Sequence, residues 1–140
     1  MVLPQLARPR AKLPDEEGWA YEPKWDGFRT IAFVDGDDVY LQSRNGKPMS
    51  RYFPEVSFPA RRMVVDGELV AASFGTLGQR IHPAVSRIER LAKETPARFV
   101  AFDVLAIDDE VLLERPYSER RAALETLAGL ELTPVVYTAA

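Results

Sequence analysis

Short runs of apolar and β-branched residues recur along this chain, separated by turn-forming residues. Phe28–Val34 and Val39–Ser43 are two such runs, with Asp35-Gly36-Asp37-Asp38 between them. Asp-Gly tolerates the positive φ of a tight turn, so the pair predicts a β-hairpin. Met63–Ala72 is a third run, interrupted by Asp66-Gly67-Glu68, and Arg98–Ile107 is a fourth, carrying one acid, Asp103. Trp19–Glu22 predicts a short early strand and Leu132–Thr138 a late one. In the fourth run, strict alternation puts Phe99, Ala101 and Asp103 on one face and Val100, Phe102 and Val104 on the other. Two segments have helical spacing. Pro83–Glu94 groups Val85, Ile88, Leu91 and Ala92 on one side, with Pro83 suited to the first turn. Pro116–Ala128 offers Ser118 as an N-cap, Leu124 and Leu127 as core positions, and Gly129 as a stop. Residues 1–18 read as an extended lead-in, because Pro4, Pro9 and Pro14 oppose helix. Strands in succession with helices inserted later predict an α+β fold: largely antiparallel, mixed sheets with flanking helices.

Composition narrows the class. With 46% hydrophobic and 10% aromatic residues the chain can bury a core, which excludes a disordered segment. The absence of cysteine excludes a thiol nucleophile, a disulfide and a zinc-thiolate site. No apolar run approaches the ~20 residues of a membrane span, and the Pro-punctuated start is a poor signal peptide. A cytoplasmic setting is expected. The net charge of −3 argues against a wholly basic nucleic-acid coat. Charge is uneven, however: Ser43–Arg62 holds five cations (Arg44, Lys47, Arg51, Arg61, Arg62) against Glu55 alone. Such a stretch can face phosphates on an otherwise acidic body.

Four stretches carry candidate chemistry. Glu22-Pro23-Lys24-Trp25-Asp26-Gly27-Phe28-Arg29 packs a lysine, an acid and an arginine around a glycine that permits close backbone approach. A lysine becomes nucleophilic only when desolvation or nearby positive charge lowers its pKa from ~10.4; read blandly, the same residues form a charged loop. Ser43-Arg44-Asn45-Gly46-Lys47 is a basic turn whose Arg44 can fork onto phosphate or sugar oxygens. Val65-Asp66-Gly67-Glu68-Leu69 places two carboxylates within an apolar run, which is costly unless they are partnered. It reads either as a turn or as a strand projecting Glu68 toward a ribose hydroxyl or a divalent metal. Phe102 in the fourth run is a core aromatic or a ring for stacking on a base. No Gly-rich phosphate fingerprint or Walker loop occurs, which excludes a Rossmann or P-loop site. His82, the only histidine, reads as structural at a helix start.

In this order, K-W-D-G-F-R, S-R-N-G-K, V-D-G-E-L-V and F-V-A-F-D-V-L resemble the motifs of the adenylation (nucleotidyltransferase) domain of bacterial ATP-dependent DNA ligases, of the actinobacterial end-joining and repair type. The resemblance runs from about Leu3 to Leu127. It implies an incomplete ATP-grasp-like nucleotidyltransferase fold over residues 19–140. Measured against the family pattern, the later lysine-bearing motifs and the oligonucleotide-binding domain are expected to be missing from these 140 residues. Pro54–Met63 and Ala71–Gln79 look short for the family.

What the resemblance implies chemically is specific. Lys24 would attack the α-phosphate of ATP and hold AMP as a phosphoramidate. AMP would pass to the 5′-phosphate of nicked double-stranded DNA, where the 3′-hydroxyl displaces it. Glu22 and Gly27 would border the nucleotide, with Glu22 reading the adenine edge. Asp26 would orient the lysine, although an ion pair with Arg29 fits the sequence equally. Arg29 and Arg44 would contact phosphate and sugar. Glu68 would hold the ribose or help place Mg2+ or Mn2+, and Phe102 would stack on adenine. Lys47, Arg51, Arg61 and Arg62 would face DNA. End-joining or repair proteins are the expected partners and the bacterial nucleoid the expected place. Lacking half of the phosphate-binding charge, the chain by itself is expected to seal nicks poorly. An RNA ligase, a capping-type guanylyltransferase and a non-catalytic nucleotide- or DNA-binding remnant are the alternatives.

Overall fold

The computed structural model describes residues 20–21, 25–134 and 136–137. The predicted lead-in over 1–18, and Lys24 and Glu22 with it, lie outside the described residues. In chain order the strands are β1 (Ala20–Tyr21), β2 (Phe28–Asp35), β3 (Asp38–Ser43), β4 (Met63–Val70), β5 (Arg98–Ile107), β6 (Glu110–Val111), β7 (Glu131–Leu132) and β8 (Val136–Tyr137). The helices are α1 (Phe74–Gly78), α2 (Val85–Glu94) and α3 (Tyr117–Glu125). A sheet of order β3-β2-β4-β5-β6 forms the body, antiparallel throughout, and β7 adds to β5 in parallel. β1 and β8 pair separately as a second, two-stranded sheet. This is the expected mixed α+β architecture.

The predicted hairpin forms: Asp35 pairs with Asp38 across a two-residue turn whose Gly36 has φ +62°. One face of the main sheet is the core, built from Ala32, Val34, Leu41, Met63, Val65, Leu69, Phe99, Ala101 and Val104, all buried. Leu124 and Leu127 close over it from α3 and the segment after it. Asp66-Gly67-Glu68 is strand, with Gly67 paired to Thr30 and Ala101, so the turn alternative does not hold. A side chain at 67 is impossible here, because its Cβ would lie 2.4 Å from the Val100 carbonyl oxygen and 2.5 Å from the Phe99 ring.

Several expectations are corrected. Alternation along β5 breaks: the register pairs Gly67 with Ala101 and Asp66 with Asp103, so Phe102 is an extra, bulged residue. Val104 therefore joins Phe99 and Ala101 in the core, and Asp103 does not. A second shift makes Leu105 extra as well. The predicted Leu132–Thr138 strand is instead two short ones in different sheets, β7 and β8, with residues 133–135 between them. Val85 begins α2 but is exposed, and only Ile88 and Leu91 are buried on that helix. Pro116, not Ser118, occupies the N-cap position of α3. The short helix α1 was not expected; Ser73 caps it by accepting the Thr76 N–H at 3.0 Å.

Arg80 is fully buried and ties three connecting segments together. Its guanidinium pairs with Glu55 at 2.5 and 2.8 Å and donates to the carbonyls of Tyr52 and Thr95. Glu55 also accepts the Ala97 N–H at 2.8 Å. Within the described residues no helix is long and apolar enough to cross a membrane.

Candidate active site

The sheet face opposite the core gathers the charged motif residues. Register sets Arg29 across from Glu68, and Ile31 across from Asp66. From there Arg29 reaches diagonally to Asp66 in a two-point ion pair, Nε–Oδ1 2.9 Å and Nη2–Oδ2 2.7 Å. A fork of this kind fixes both position and orientation of the guanidinium. The same guanidinium lies 5.0 Å from the centroid of the Phe102 ring, within cation–π range. The sequence left open whether Asp26 pairs with Arg29; the two-point partner is Asp66, 37 residues away, and Asp26 is exposed.

Gly27 joins the loop to β4. Its N–H donates to Glu68 Oε2 at 3.1 Å. A Cβ at this position would sit 2.1 Å from the Leu69 carbonyl oxygen and 2.9 Å from Val70 Cγ1. Glycine is thus required by the approach of the loop to the strand itself. Two residues earlier, Trp25 Nε1 donates to Thr133 Oγ1 at 2.8 Å, while Thr133 N–H donates to the Ala101 carbonyl at 2.9 Å. The Arg98 guanidinium lies 5.8 Å from the Trp25 ring. The segment that follows Lys24 is therefore pinned at both Trp25 and Gly27.

Both carboxylates of the motif are nearly buried, Asp66 at 5% and Glu68 at 8% exposure. Burial raises the pKa of Asp66 above the ordinary carboxylate range; the Arg29 hydrogen bonds and charge oppose this, and Asp103 adds to it. Glu68 is raised for the same first reason. The Gly27 N–H and the Arg29 charge pull it down, and Asp26 and Asp66 push it up. Asp103 in turn is held by Arg120 of α3, whose Nε lies 3.0 and 3.1 Å from its two oxygens.

Of the residues singled out in the sequence, Gly27, Arg29, Glu68 and Phe102 come together. Arg44 and Lys47 are exposed on the Ser43–Lys47 turn, which closes through Gly46 at φ +81°. Pairing of Ser43 with Thr30 puts Arg44 just beyond β3, at the same sheet end as Arg29. Arg51 is exposed, donates to the Pro83 carbonyl at 3.1 Å and lies 5.3 Å from the Tyr52 ring. Arg61 and Arg62 precede Met63, five residues and about 17 Å of strand from Glu68. They pair with Asp108 and Asp109. The basic stretch is thus dispersed rather than gathered into one patch. His82 Nδ1 accepts the Ala84 N–H at 3.1 Å ahead of α2, a local structural contact. Asp66, Thr133 and Arg120 acquire their places only through long-range pairing. Asp66 stood inside a visible motif, whereas nothing in the sequence marks Thr133 or Arg120.

A Gly-tethered loop thus lies over an Asp-Gly-Glu strand, with an arginine fork and a bulged aromatic beside it. Residues 4–137 match the ATP dependent DNA ligase domain, and the chain belongs to that family. DNA ligase C1 of Mycolicibacterium smegmatis is 52% identical over 138 residues, covering 88% of this chain and 40% of its own length. DNA ligase C of Mycobacterium tuberculosis is 52% identical over 133 residues, with 88% and 37% covered. Among solved structures, a mycobacterial DNA ligase D complexed with ATP and MES superimposes with a TM-score of 0.67 at 30% identity, over 87% of this chain and 42% of that one. The chain spans about two fifths of the length of these relatives.

Proposed function

We propose that this chain carries the nucleotide-activating half of a DNA ligase, with Lys24 as the nucleophile. In that reaction the Lys24 amine, having lost a proton, forms a bond to the α-phosphorus of ATP. The bond from that phosphorus to the bridging oxygen breaks, and pyrophosphate leaves. The lysine-bound AMP then passes to a 5′-phosphate at a nick in double-stranded DNA, and attack by the 3′-hydroxyl seals the strand and releases AMP. The observation that supports this most is the tether of Gly27 to Glu68, which holds the loop three residues after Lys24 against the strand carrying Asp66 and Glu68.

The remaining roles are those that the matching motifs imply. Phe102 offers a ring face to the adenine, and Arg29, fixed by Asp66, offers N–H groups to sugar or phosphate oxygens. Arg44 does the same from the β3 end, Asp26 orients the amine, and Glu22 meets the adenine edge. Among the described residues no group of three or more metal-ligating side chains forms. Glu68 fits a single carboxylate ligand for Mg2+ or Mn2+, with phosphate oxygens supplying others, as is usual for magnesium at nucleotides. Such an ion would offset negative charge on the triphosphate. Lys47 and Arg51, exposed near the Arg44 turn, are the better placed DNA contacts; Arg61 and Arg62 would first have to leave their aspartates. End-joining or repair proteins as partners and the bacterial nucleoid as location complete the reading.

Incubation with α-labelled ATP and magnesium tests it. Acid-labile label that is on Lys24 in the wild type and missing in Lys24→Ala is the expected result. ATP binding without label supports a non-catalytic remnant instead, and transfer from GTP in preference to ATP supports a capping-type enzyme.

A further inference from the structure

The bulge in β5 is fastened from outside the sheet. Phe102 is the residue left over between the Gly67–Ala101 and Asp66–Asp103 pairs. The next residue, Asp103, folds its carboxylate back so that Oδ1 accepts the Val104 N–H at 2.9 Å. The same carboxylate takes the Arg120 Nε at 3.0 and 3.1 Å, and both side chains are only 17% exposed. Arg120 is itself held: Nη1 donates to the Arg115 carbonyl at 2.6 Å, and its guanidinium lies 5.7 Å from the Tyr117 ring. A helix side chain thus reaches across to the first of the two points where the strand departs from its ladder. Bulges beside functional sites commonly re-aim a side chain, and here the re-aimed residue is the ring lying against Arg29.

We propose that Arg120 is a positioning residue for the base platform: through Asp103 it locks the bulge that turns the Phe102 ring onto the Arg29 guanidinium. This rests on the reading of Phe102 as the adenine-stacking ring. Arg120 touches no nucleotide in this account. It acts by fixing a backbone irregularity that would otherwise relax toward regular pairing and carry the ring away from Arg29. The effect is therefore on the base half of a nucleotide and not on its phosphates.

Two measurements on the whole chain test it, using Arg120→Gln and the conservative Arg120→Lys. In the nucleotide-free protein, Arg120→Gln should speed hydrogen exchange of the Val104 amide about tenfold, as expected for losing the support of a charge-assisted bond. It should also move the Phe102 ring resonances while those of Phe53 stay in place, and Arg120→Lys should restore both in part. Unchanged exchange and unchanged ring resonances in Arg120→Gln overturn the proposal. In binding titrations, Arg120→Gln should weaken AMP about tenfold and leave inorganic triphosphate unaffected; equal loss of both ligands marks a general structural defect and also overturns it. Phe102→Leu separates the two layers. AMP affinity unchanged by Phe102→Leu refutes the base-platform reading, whereas the exchange and ring measurements decide the role of Arg120 on their own.

Discussion

Replacing Gly27 with alanine probes the tether on which the site is built. The added Cβ would stand 2.1 Å from the Leu69 carbonyl oxygen, against carbon–oxygen contacts of about 3.3 Å. Because the obstacle is strand backbone, no rotamer change relieves it, and the loop must retreat by about 1 Å. That retreat breaks the 3.1 Å bond from Gly27 N–H to Glu68, leaving a carboxylate that is 8% exposed without this donor. Overpacking costs ~1–3 kcal/mol, and loss of a hydrogen bond to a charged group costs ~1.5–3 kcal/mol. The two share one displacement, so a loss of about 2–4 kcal/mol in urea-induced unfolding is expected. A shift of this size near a nucleophile also lowers reaction rates about 100-fold, so label transfer to Lys24 should fall with it. Gly75→Ala is the control: a Cβ there meets nothing within 4 Å, and alanine favours the helix. Unfolding of Gly27→Ala within about 0.5 kcal/mol of wild type would refute the argument that the loop is pressed onto β4.

Two further outcomes follow from buried charge. Glu68 has its pKa raised in the folded chain, chiefly by burial, so its contribution is fully present below the ordinary glutamate value of about 4.3 and is lost as pH rises through the folded one. The stability of wild type minus that of Glu68→Gln should therefore fall as the pH is raised above the ordinary glutamate value in urea titrations; a difference that grows with pH contradicts the burial account. Glu55→Ala leaves the fully buried Arg80 guanidinium without its carboxylate, and breaking a buried pair in this way costs ~3–5 kcal/mol; a urea midpoint close to wild type would show that Arg80 finds another partner.

The sequence displayed some layers of this molecule and concealed others. Strands β2 to β5 and their hairpin were legible because Asp-Gly turns and apolar runs are local properties, and the motif order gave Gly27, Arg29, Glu68 and Phe102 together. The partner of Arg29 was not legible: register, set across two strands, chose Asp66 over the nearby Asp26. Nor was the break in alternation, since one extra residue in β5 exchanges the faces of Asp103 and Val104 and leaves no mark in composition. Helix α1, Phe-Gly-Thr-Leu-Gly, has two glycines in five residues, and its helical state depends on the Ser73 cap and the burial of Leu77. The basic stretch misled in another way. Arg61 and Arg62 belong to it in sequence, but the fold brings Asp108 and Asp109 from 47 residues downstream to meet them.

The two extra residues of β5 have opposite effects on phase. Phe99 and Ala101 point to the core before the first slip, Val104 does so between the slips, and Ile107 packs against the core again after the second. The slips cancel, so only the window from Phe102 to Leu105 is out of step while both ends of the strand keep their places in the sheet. Excising Phe102 alone would leave every other residue opposite its present partner, with only the Leu105 irregularity remaining. Excising Phe102 and Leu105 together would leave a regular scaffold from which the aromatic beside Arg29 had been removed.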